Sequence, residues 1–259
     1  MRHPTAFSPL RRALALLGLA VSATLALAAP TDASAAATCS AQSGATVPAV
    51  VELYTSEGCN SCPPADRWLS SLKGRDDVVA LAFHVDYWDS LGWKDRFAQP
   101  QFTQRQNATL HTSGARFAYT PQVILDSRDA PNWSSLPPAV LQRKTPAAVG
   151  LALARDGSGL ALTVTPGAGA PAALSGYVAV VDDGLQTHVG AGENRGETLH
   201  QDGVVRELLP WNLAGARPAT LRFASASTPE PATTRHWVAV ATDGPYGKPL
   251  QAVTLACAR

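Results

Sequence analysis

Strand-like and helix-like patterns alternate in the first part of the chain. Residues 47–55 form an apolar, β-branched run of the kind that lies buried in a parallel sheet. Residues 78–85 form a second such run. Between them, apolar side chains recur at the i, i+3, i+4, i+7 spacing of an amphipathic helix, at Ala65, Trp68, Leu69 and Leu72. This order predicts a β-α-β unit.

A third strand is predicted at residues 119–125. Pro121 stands near its start, and Asp126-Ser127 marks the turn that ends it. The segment before it is more polar, and residues 95–110 are expected to hold helices with a break at Pro100. The mixture of helices and strands is typical of an α/β fold.

The pattern changes after a proline-rich stretch at residues 130–146. Short alternating runs then continue to the C-terminus, separated by turn-forming pairs such as Asp156-Gly157 and Asp183-Gly184. Strands are predicted at residues 149–155, 159–165, 176–182, 186–191, 203–209, 218–224, 236–242 and 250–256. Such regularly spaced short strands favour a β-sandwich-like domain over residues 147–259.

Residues 1–37 have the composition of an export signal. Three basic residues precede an Ala- and Leu-rich apolar core at residues 13–29, which is too short to predict a membrane span. We therefore expect cleavage after Ala37, no stable membrane insertion afterwards, and a periplasmic or secreted protein. A lipoprotein site at Cys39 is a weaker alternative, because Thr38 precedes that cysteine.

Charge and cysteine content narrow the possible partners. The chain has 21 basic and 20 acidic residues, a balance that provides no basic surface for nucleic acid, so none is expected as a partner. Its four cysteines fall into two groups, since Cys39 and Cys257 stand near the ends while Cys59 and Cys62 are close together. The economical interpretation is a structural Cys39–Cys257 disulfide and a separate redox-active pair.

The segment Cys59-Asn60-Ser61-Cys62 carries the main candidate chemistry. It follows a strand and precedes a helix, whose N-terminal partial positive charge favours a thiolate. Cys59 is expected to attack a partner disulfide, and Cys62 to resolve the mixed disulfide. Because proline is tolerated in the first helical turn, the helix is predicted to start at Pro63 or Pro64, with Cys59 outermost and Cys62 deeper.

Two alternatives to redox chemistry exist for this pair. One is an inert bridge, although a disulfide across two intervening residues restrains little chain entropy. The other is half of a metal site, for which His84 and His111 are available but lack motif spacing. The surrounding pattern favours redox chemistry, which needs no dissociable cofactor and no bound metal.

Two further residues are candidates for the same chemistry. A cis bond between Thr120 and Pro121 would turn the Thr120 backbone toward a neighbouring loop, where it can pair with an extended substrate chain. A trans bond is the alternative. Glu52 lies on the strand before the motif and is expected to accept the proton of Cys62 if its carboxyl is partly buried. An exposed position is the alternative for Glu52.

These residues make the first half of the chain similar to the thioredoxin superfamily. The chain more closely resembles a family of exported bacterial proteins known as domain-of-unknown-function family 1223. The resemblance rests on residues 51–66, on Phe83-His84-Val85-Asp86-Tyr87-Trp88-Asp89, on Leu91-Gly92-Trp93-Lys94-Asp95, on Tyr119-Thr120-Pro121-Gln122, and on Gly192-Glu193-Asn194-Arg195-Gly196 with Val204-Val205-Arg206.

The resemblance implies a thioredoxin-like domain over residues 38–146, a dithiol at Cys59 and Cys62, and a cis Pro121. The expected fold class is therefore an α/β thioredoxin-like domain followed by a β-rich, sandwich-like C-terminal domain. The resemblance implies no particular substrate. Gly58 is a departure, since thioredoxins often carry an aromatic residue before the first cysteine.

The expected activity is that of an exported thiol–disulfide oxidoreductase acting on protein or small-molecule thiols and disulfides. Tyr87 and Trp88 follow a strand at the sheet edge where α/β proteins bind ligands, so they are candidate substrate contacts, with core packing as the alternative. The residues Glu193, Asn194 and Arg195 either fold over the site or hold their own loop, and the second is favoured. The alternative function is a non-catalytic binding module or a carrier of a soft metal such as Cu(I) on the same scaffold.

Overall fold

The computed structural model describes residues 39–142, 144–215 and 217–257. The predicted export signal lies outside these residues. Within them, helices are short, and none is long and apolar enough to cross a membrane.

The first part of the chain contains the predicted β-α-β unit. The helices and strands of this first part are β1 (Ser40–Gln42), β2 (Ala49–Thr55), α1 (Pro63–Ser70), β3 (Val78–His84), α2 (Pro100–Ser113), β4 (Gln122–Leu125), β5 (Arg128–Asp129) and α3 (Pro138–Leu141). The unit is confirmed, because β2 and β3 pair in parallel with α1 between them in the chain. Pro100 opens α2 rather than breaking a helix, since the first helical position needs no N–H.

In the second part of the chain, the described residues form strands and no helix. These are β6 (Val149–Asp156), β7 (Gly159–Pro166), β8 (Ala173–Asp183), β9 (Leu185–His188), β10 (Thr198–Gln201), β11 (Val204–Ala214), β12 (Ala219–Phe223), β13 (Thr234–Thr242) and β14 (Pro249–Ala256). Every strand predicted from alternation has a counterpart among them. Only β10 is missed, because Leu199 is its single apolar residue.

One mixed sheet of eight strands runs through both parts, in the order β14-β13-β8-β11-β3-β2-β4-β5. Within this sheet the two parts meet where β11 runs parallel to β3, with Val204 opposite Ala82. A four-stranded sheet, β1-β6-β7-β12, and the β10-β9 pair complete the architecture.

The expected fold class, an α/β thioredoxin-like domain followed by a sandwich-like domain, is wrong. The protein is mostly β, with 43% of the structure in strands and 15% in helices. In an independent α/β domain this edge of β3 would have no neighbouring strand. Here β11 and the C-terminal strands extend the sheet beyond it. Hydrophobic patterning shows where strands form but not which distant strand joins a given edge. The predicted division into residues 38–146 and 147–259 stays a prediction.

Three apolar clusters fill the space between these layers. On one face of the large sheet, Leu53 packs with Ala65 and Leu69 of α1. On the opposite face, Tyr54 and Phe83 pack with α2 and with strands of the second part. The third cluster lies between the two sheets and includes residues of β6, β7, β8, β13 and β14. Alternate residues of β2 therefore face either α1 or α2.

A disulfide joins Cys39 to Cys257, as predicted, with their Cα atoms 5.7 Å apart. Both cysteines pack against the cluster between the two sheets. The bond therefore holds the two ends of the described chain against the same part of the core.

Candidate functional site

The second disulfide joins Cys59 to Cys62 at the start of α1. Cys62 is the N-cap, and Pro63 and Pro64 fill the first helical positions, as predicted. Neither proline has an N–H, and the amide of Ala65 is already bonded to the Cys62 carbonyl at 2.8 Å. The helix therefore offers the sulfurs its dipole but no hydrogen-bond donor from its first two positions.

Both sulfur-bearing side chains are fully buried. The expectation that Cys59 is outermost and more exposed than Cys62 is wrong, because each has a relative exposure of 0%. Asn60 and Ser61 between them remain exposed. Gly58 allows part of this burial, since a Cβ at that position would lie 3.2 Å from the Trp88 Cβ. Trp88, from elsewhere in the chain, thus packs against residue 58.

Residues 192–196, the covering loop, bind the backbone of the cysteine motif. The Asn194 amide Nδ2 donates to the carbonyl oxygens of Glu57 at 2.8 Å and Cys59 at 3.0 Å. The backbone N–H of Asn60 donates to the Glu193 carboxylate at 3.2 Å. The favoured expectation, that these residues only hold their own loop, is therefore wrong for Glu193 and Asn194, which bind the cysteine motif directly.

Glu57 connects the motif to residues 93–95 and to β10. Its side chain is buried and accepts hydrogen bonds from Trp93 Nε1 at 2.9 Å and Gln201 Nε2 at 3.2 Å. Its backbone N–H donates to the Asp95 carboxylate at 2.8 Å. A carboxyl two residues before Cys59 is thus part of the internal framework and not a surface charge.

His84 and Asp95 form a buried pair beside this framework. His84 Nδ1 lies 2.6 Å from Asp95 Oδ2, and both side chains are almost fully buried. Burial opposes protonation of His84, but the carboxylates of Asp95 and Asp66 outweigh it and raise the pKa of His84. Burial also opposes ionisation of Asp95, yet His84 holds its pKa below the usual value. In the described part of the chain, His84 Nε2 is buried with no hydrogen-bond partner.

Asp66 places a titratable carboxyl in the first turn of the helix that Cys62 caps. It is four residues after Cys62 and therefore lies one turn along the same face of α1. Burial raises the pKa of Asp66 from 3.8 to about 6, although the charge on His84 acts in the opposite direction. The carboxyl can thus take up or release a proton near neutral pH. Sequence reasoning missed it, since an acid in a first helical turn is ordinarily a partner of the helix dipole.

Glu52, the predicted proton acceptor, lies on the other face of the sheet. It alternates with Leu53, which packs against α1, so its side chain points toward α2. Arg105 binds its carboxylate, with Nη2 at 2.6 Å from Oε1, and the Tyr177 hydroxyl donates to the same oxygen at 2.9 Å. The structure does not bring Glu52 and Cys62 together.

The other predicted site residues are Thr120, Pro121, Tyr87 and Trp88. The Thr120–Pro121 bond is cis, as predicted. Trp88 packs against Gly58, and its Nε1 donates to the Thr120 hydroxyl at 2.8 Å, so it links the motif to the strand that Pro121 opens. Tyr87 is 40% exposed, and partial burial raises its pKa against the opposing effect of polar neighbours. Tyr87 is therefore the predicted contact residue that a partner can reach directly.

The comparison with known families decides where this chain belongs. The family model described as "Protein of unknown function (DUF1223)" matches residues 50–241. The chain is a member of the DUF1223 family. The match begins within β2 and ends in β13, so it includes the disulfide, the His84–Asp95 pair and the covering loop.

Two solved structures resemble this DUF1223 protein. The protein AGR_C_4864 from Agrobacterium tumefaciens has 22% sequence identity and a TM-score of 0.60, with 83% of this chain and 96% of that chain covered. HBP35 of Porphyromonas gingivalis has 18% identity and a TM-score of 0.55, with coverages of 82% and 76%. At these identities the likeness concerns the fold alone. No curated protein matches the chain.

The two histidines considered as metal ligands have different surroundings in this DUF1223 protein. His84 is bound to Asp95, and His111 lies exposed in the last turn of α2. Among the described residues, no three His, Cys, Asp or Glu side chains are grouped so that they can hold a metal ion.

Replacing Asp66 with asparagine is expected to make the stability of this DUF1223 protein less dependent on pH. Since folding raises the pKa of Asp66 from 3.8 to about 6, its contribution to stability is present below the unfolded pKa and is lost as the pH rises through about 6. The variant should therefore match the wild type at about pH 4 and exceed it at about pH 8 by about 1–3 kcal/mol in unfolding free energy, measured with urea.

Asp77→Asn is the matched control for this experiment. Arg75 lowers the pKa of Asp77 through a side-chain hydrogen bond, so this variant should lose a little stability at the higher pH. An Asp66→Asn variant with the same sign as the control would contradict the assignment of a raised pKa to Asp66.

Proposed function

We propose that this protein is an exported thiol–disulfide oxidoreductase whose redox group is the Cys59–Cys62 disulfide. The observation that carries the proposal is the Asp66 carboxyl one helical turn from Cys62, with its pKa raised to about 6. A carboxyl of that kind suits proton exchange with a thiol at neutral pH. A disulfide across two residues is, by contrast, a weak crosslink for stabilising a fold.

The proposed reaction is reduction of the pair by a partner dithiol. A partner thiolate attacks Cys59 Sγ, the Cys59–Cys62 bond breaks, and the departing Cys62 thiolate takes a proton from the Asp66 carboxyl. The second partner thiolate then attacks the partner's own sulfur in the mixed disulfide and releases Cys59 as a thiolate. Two electrons pass from the partner to the protein, and the partner leaves as a disulfide.

The same steps run in reverse when the reduced protein acts on a partner disulfide. Cys59 thiolate attacks, and one partner sulfur departs as a thiolate. The Cys62 thiol then gives its proton to ionised Asp66 and attacks Cys59 Sγ, which releases the second partner sulfur. No dissociable cofactor takes part in either direction.

A partner reaches Cys59 in this proposal after the covering loop moves. Three hydrogen bonds hold that loop to the motif, two from Asn194 and one to Glu193. Each contributes about 1 kcal/mol, so local opening requires much less free energy than global unfolding, which takes about 5–15 kcal/mol. We expect the departure of this loop, which binds the Cys59 carbonyl, to expose Cys59, while Cys62 remains the N-cap of α1.

Export is the second component of the proposal. The pattern of residues 1–37 supports it, and so do two disulfides, since disulfides persist mainly in oxidising compartments. The partners would be protein or small-molecule thiols and disulfides in the periplasm or outside the cell.

Equilibration with glutathione tests the proposed function. The full protein is incubated in buffers of graded glutathione and glutathione disulfide, starting once from the oxidised form and once from the reduced form. Free thiols are then trapped and assigned to each pair by peptide mass mapping. We expect Cys59 and Cys62 to reach the same ratio from both sides, with a potential between about −120 and −270 mV.

Asn194→Ala is the matched variant for this test. It removes two hydrogen bonds of the covering loop but no thiol, so it should reach the same ratio faster than the wild type. A pair that never reaches a common ratio from the two sides, in the variant as well as in the wild type, would refute the proposed function.

A further inference from the structure

An imidazole lies buried on the face of the large sheet that α1 covers. Leu53 of β2 packs against α1, and Thr55 is two residues further along the strand, so its side chain shares that face. Thr55 is opposite His84 in the parallel pair of β2 and β3, which directs the His84 side chain to the same face. His84 is 1% exposed, so its ring is enclosed on the α1 side of the sheet.

Asp95 holds this ring through one of its two nitrogens. His84 Nδ1 lies 2.6 Å from Asp95 Oδ2, and the same carboxylate accepts the backbone N–H groups of Glu57 and Phe97, each at 2.8 Å. In the described part of the chain, His84 Nε2 is buried without a hydrogen-bond partner. A protonated His84 therefore offers one buried N–H to a neighbouring anion.

The carboxyl groups around His84 come from three segments of the chain. Burial opposes protonation of His84, but Asp95, Asp66 and Glu57 together raise its pKa. Asp95 is bonded to Nδ1, and the Glu57 carboxylate accepts hydrogen bonds from two other side chains. These bonds leave Asp66, in the first turn of α1, as the acidic neighbour for Nε2.

Three arginines complete the charged surroundings. Arg67 is exposed on α1. Arg96 and Arg206 contact the Phe97 ring, with their guanidinium carbons 4.3 and 5.0 Å from its centre. The Phe97 ring in turn packs against the imidazole, with the two ring centres 5.3 Å apart. Of these cations, His84 is the one that belongs to the buried cluster itself.

The Asp66 carboxyl responds to this buried charge. Burial raises the pKa of Asp66 to about 6, and the charge on His84 is the largest effect that opposes the rise. A nearby opposite charge favours the ionised form of a carboxyl. At pH 6, about half of the Asp66 carboxyls are therefore ionised and able to accept a proton.

We propose that the His84 imidazolium is a positioning charge that keeps Asp66 ionised, so that Asp66 can accept the proton of Cys62. Asp95 holds the ring, and Nε2–H faces the Asp66 carboxylate. When the mixed disulfide is resolved, the Cys62 proton passes to Asp66, the Cys62 sulfur attacks Cys59 Sγ, and the partner sulfur leaves with the bonding electron pair. His84 keeps its own proton throughout. This inference rests on the proposed function and adds a residue to it.

The pH dependence of the resolving step tests the inference. The reduced full protein is mixed with glutathione disulfide and quenched at intervals, and the decay of the glutathione adduct on Cys59 is followed by mass. In the wild type, we expect the decay rate to rise with pH, with a half-point near pH 6. His84→Asn leaves a donor for Asp95 but no charge. Its half-point should move up by about one pH unit, and its rate at pH 6 should fall about fivefold.

Phe97→Leu is the matched control, since it alters the packing against the same ring but removes no charge. Its half-point should stay where the wild type has it. Carbon NMR of the labelled full protein provides a second measurement. The Asp66 carboxyl signal should titrate about one pH unit higher in oxidised His84→Asn than in the oxidised wild type.

The outcomes separate this inference from the proposed function. An unmoved half-point of His84→Asn in either measurement, or an equal move in Phe97→Leu, would overturn the role of His84 while the wild-type reaction stands. Absence of any glutathione adduct on Cys59 in the wild type would overturn the proposed function, and this inference with it.

Discussion

Replacing Cys62 with serine is expected to trap the partner on Cys59. In the reduced variant, Cys59 still attacks glutathione disulfide once the covering loop opens, but no second thiol resolves the adduct. Intramolecular attack benefits from a very high effective concentration, so its loss should slow release by about 10³-fold or more. Intact-mass measurement over time should show a persistent glutathione adduct on Cys59, identified by peptide mapping.

Cys59→Ser should behave differently, because Cys62 stays buried at the start of α1. It should form no persistent adduct and show no turnover. Ser61→Ala serves as the control, since Ser61 lies 3.4 Å from Cys59 Sγ but carries no thiol, and it should keep wild-type turnover. An adduct that accumulates on Cys62 in preference to Cys59 would reverse the assigned roles.

Replacing Arg105 with alanine is expected to destabilise the fold by about 3–5 kcal/mol. Glu52 is 6% exposed, and removal of Arg105 leaves its carboxylate buried with only the hydroxyls of Tyr54 and Tyr177 as donors. The lost free energy is about a fifth or more of the stability of an ordinary domain, about 5–15 kcal/mol. Urea unfolding at neutral pH measures the difference from the wild type.

Arg96→Ala is the matched control for this prediction. Arg96 pairs with Glu230 at 2.8 Å, but its side chain is 41% exposed, and a surface pair contributes about 1 kcal/mol or less. A double variant, Glu52→Leu with Arg105→Leu, should recover much of the loss, because no charge is then left unpaired. Equal effects of Arg105→Ala and Arg96→Ala would contradict the buried-pair argument.

Local patterns predicted much of this protein correctly. The apolar runs around α1 gave the parallel pair β2 and β3, and alternation located the strands of the second part. The positions of the four cysteines along the sequence predicted both disulfides. Each of these features depends on residues that are near in sequence, or on a small number of possible pairings.

Contacts between distant segments account for the errors. The fold class was wrong because β11 joins the edge of β3, and no periodicity in either strand specifies that neighbour. Cys59 is buried, against expectation, and its motif is bound by a loop whose Glu193 is 133 residues away from Asn60 in the chain. Glu52 was placed next to Cys62 because strand alternation alone does not say which face the helix will cover. Asp66 was missed because its raised pKa arises from burial beside His84 and not from any motif.

The Cys39–Cys257 bond turns nearly all of the described chain into a closed covalent ring, since its two cysteines are 218 residues apart. A protease that cuts one exposed loop within the ring therefore releases no fragment, because both new ends stay attached through the sulfur bridge. The nicked molecule keeps its mass until a reductant opens that bridge, and its strands remain able to re-pair in place. In surroundings rich in proteases, loss of the protein then requires two separate cuts, or a cut and a reduction.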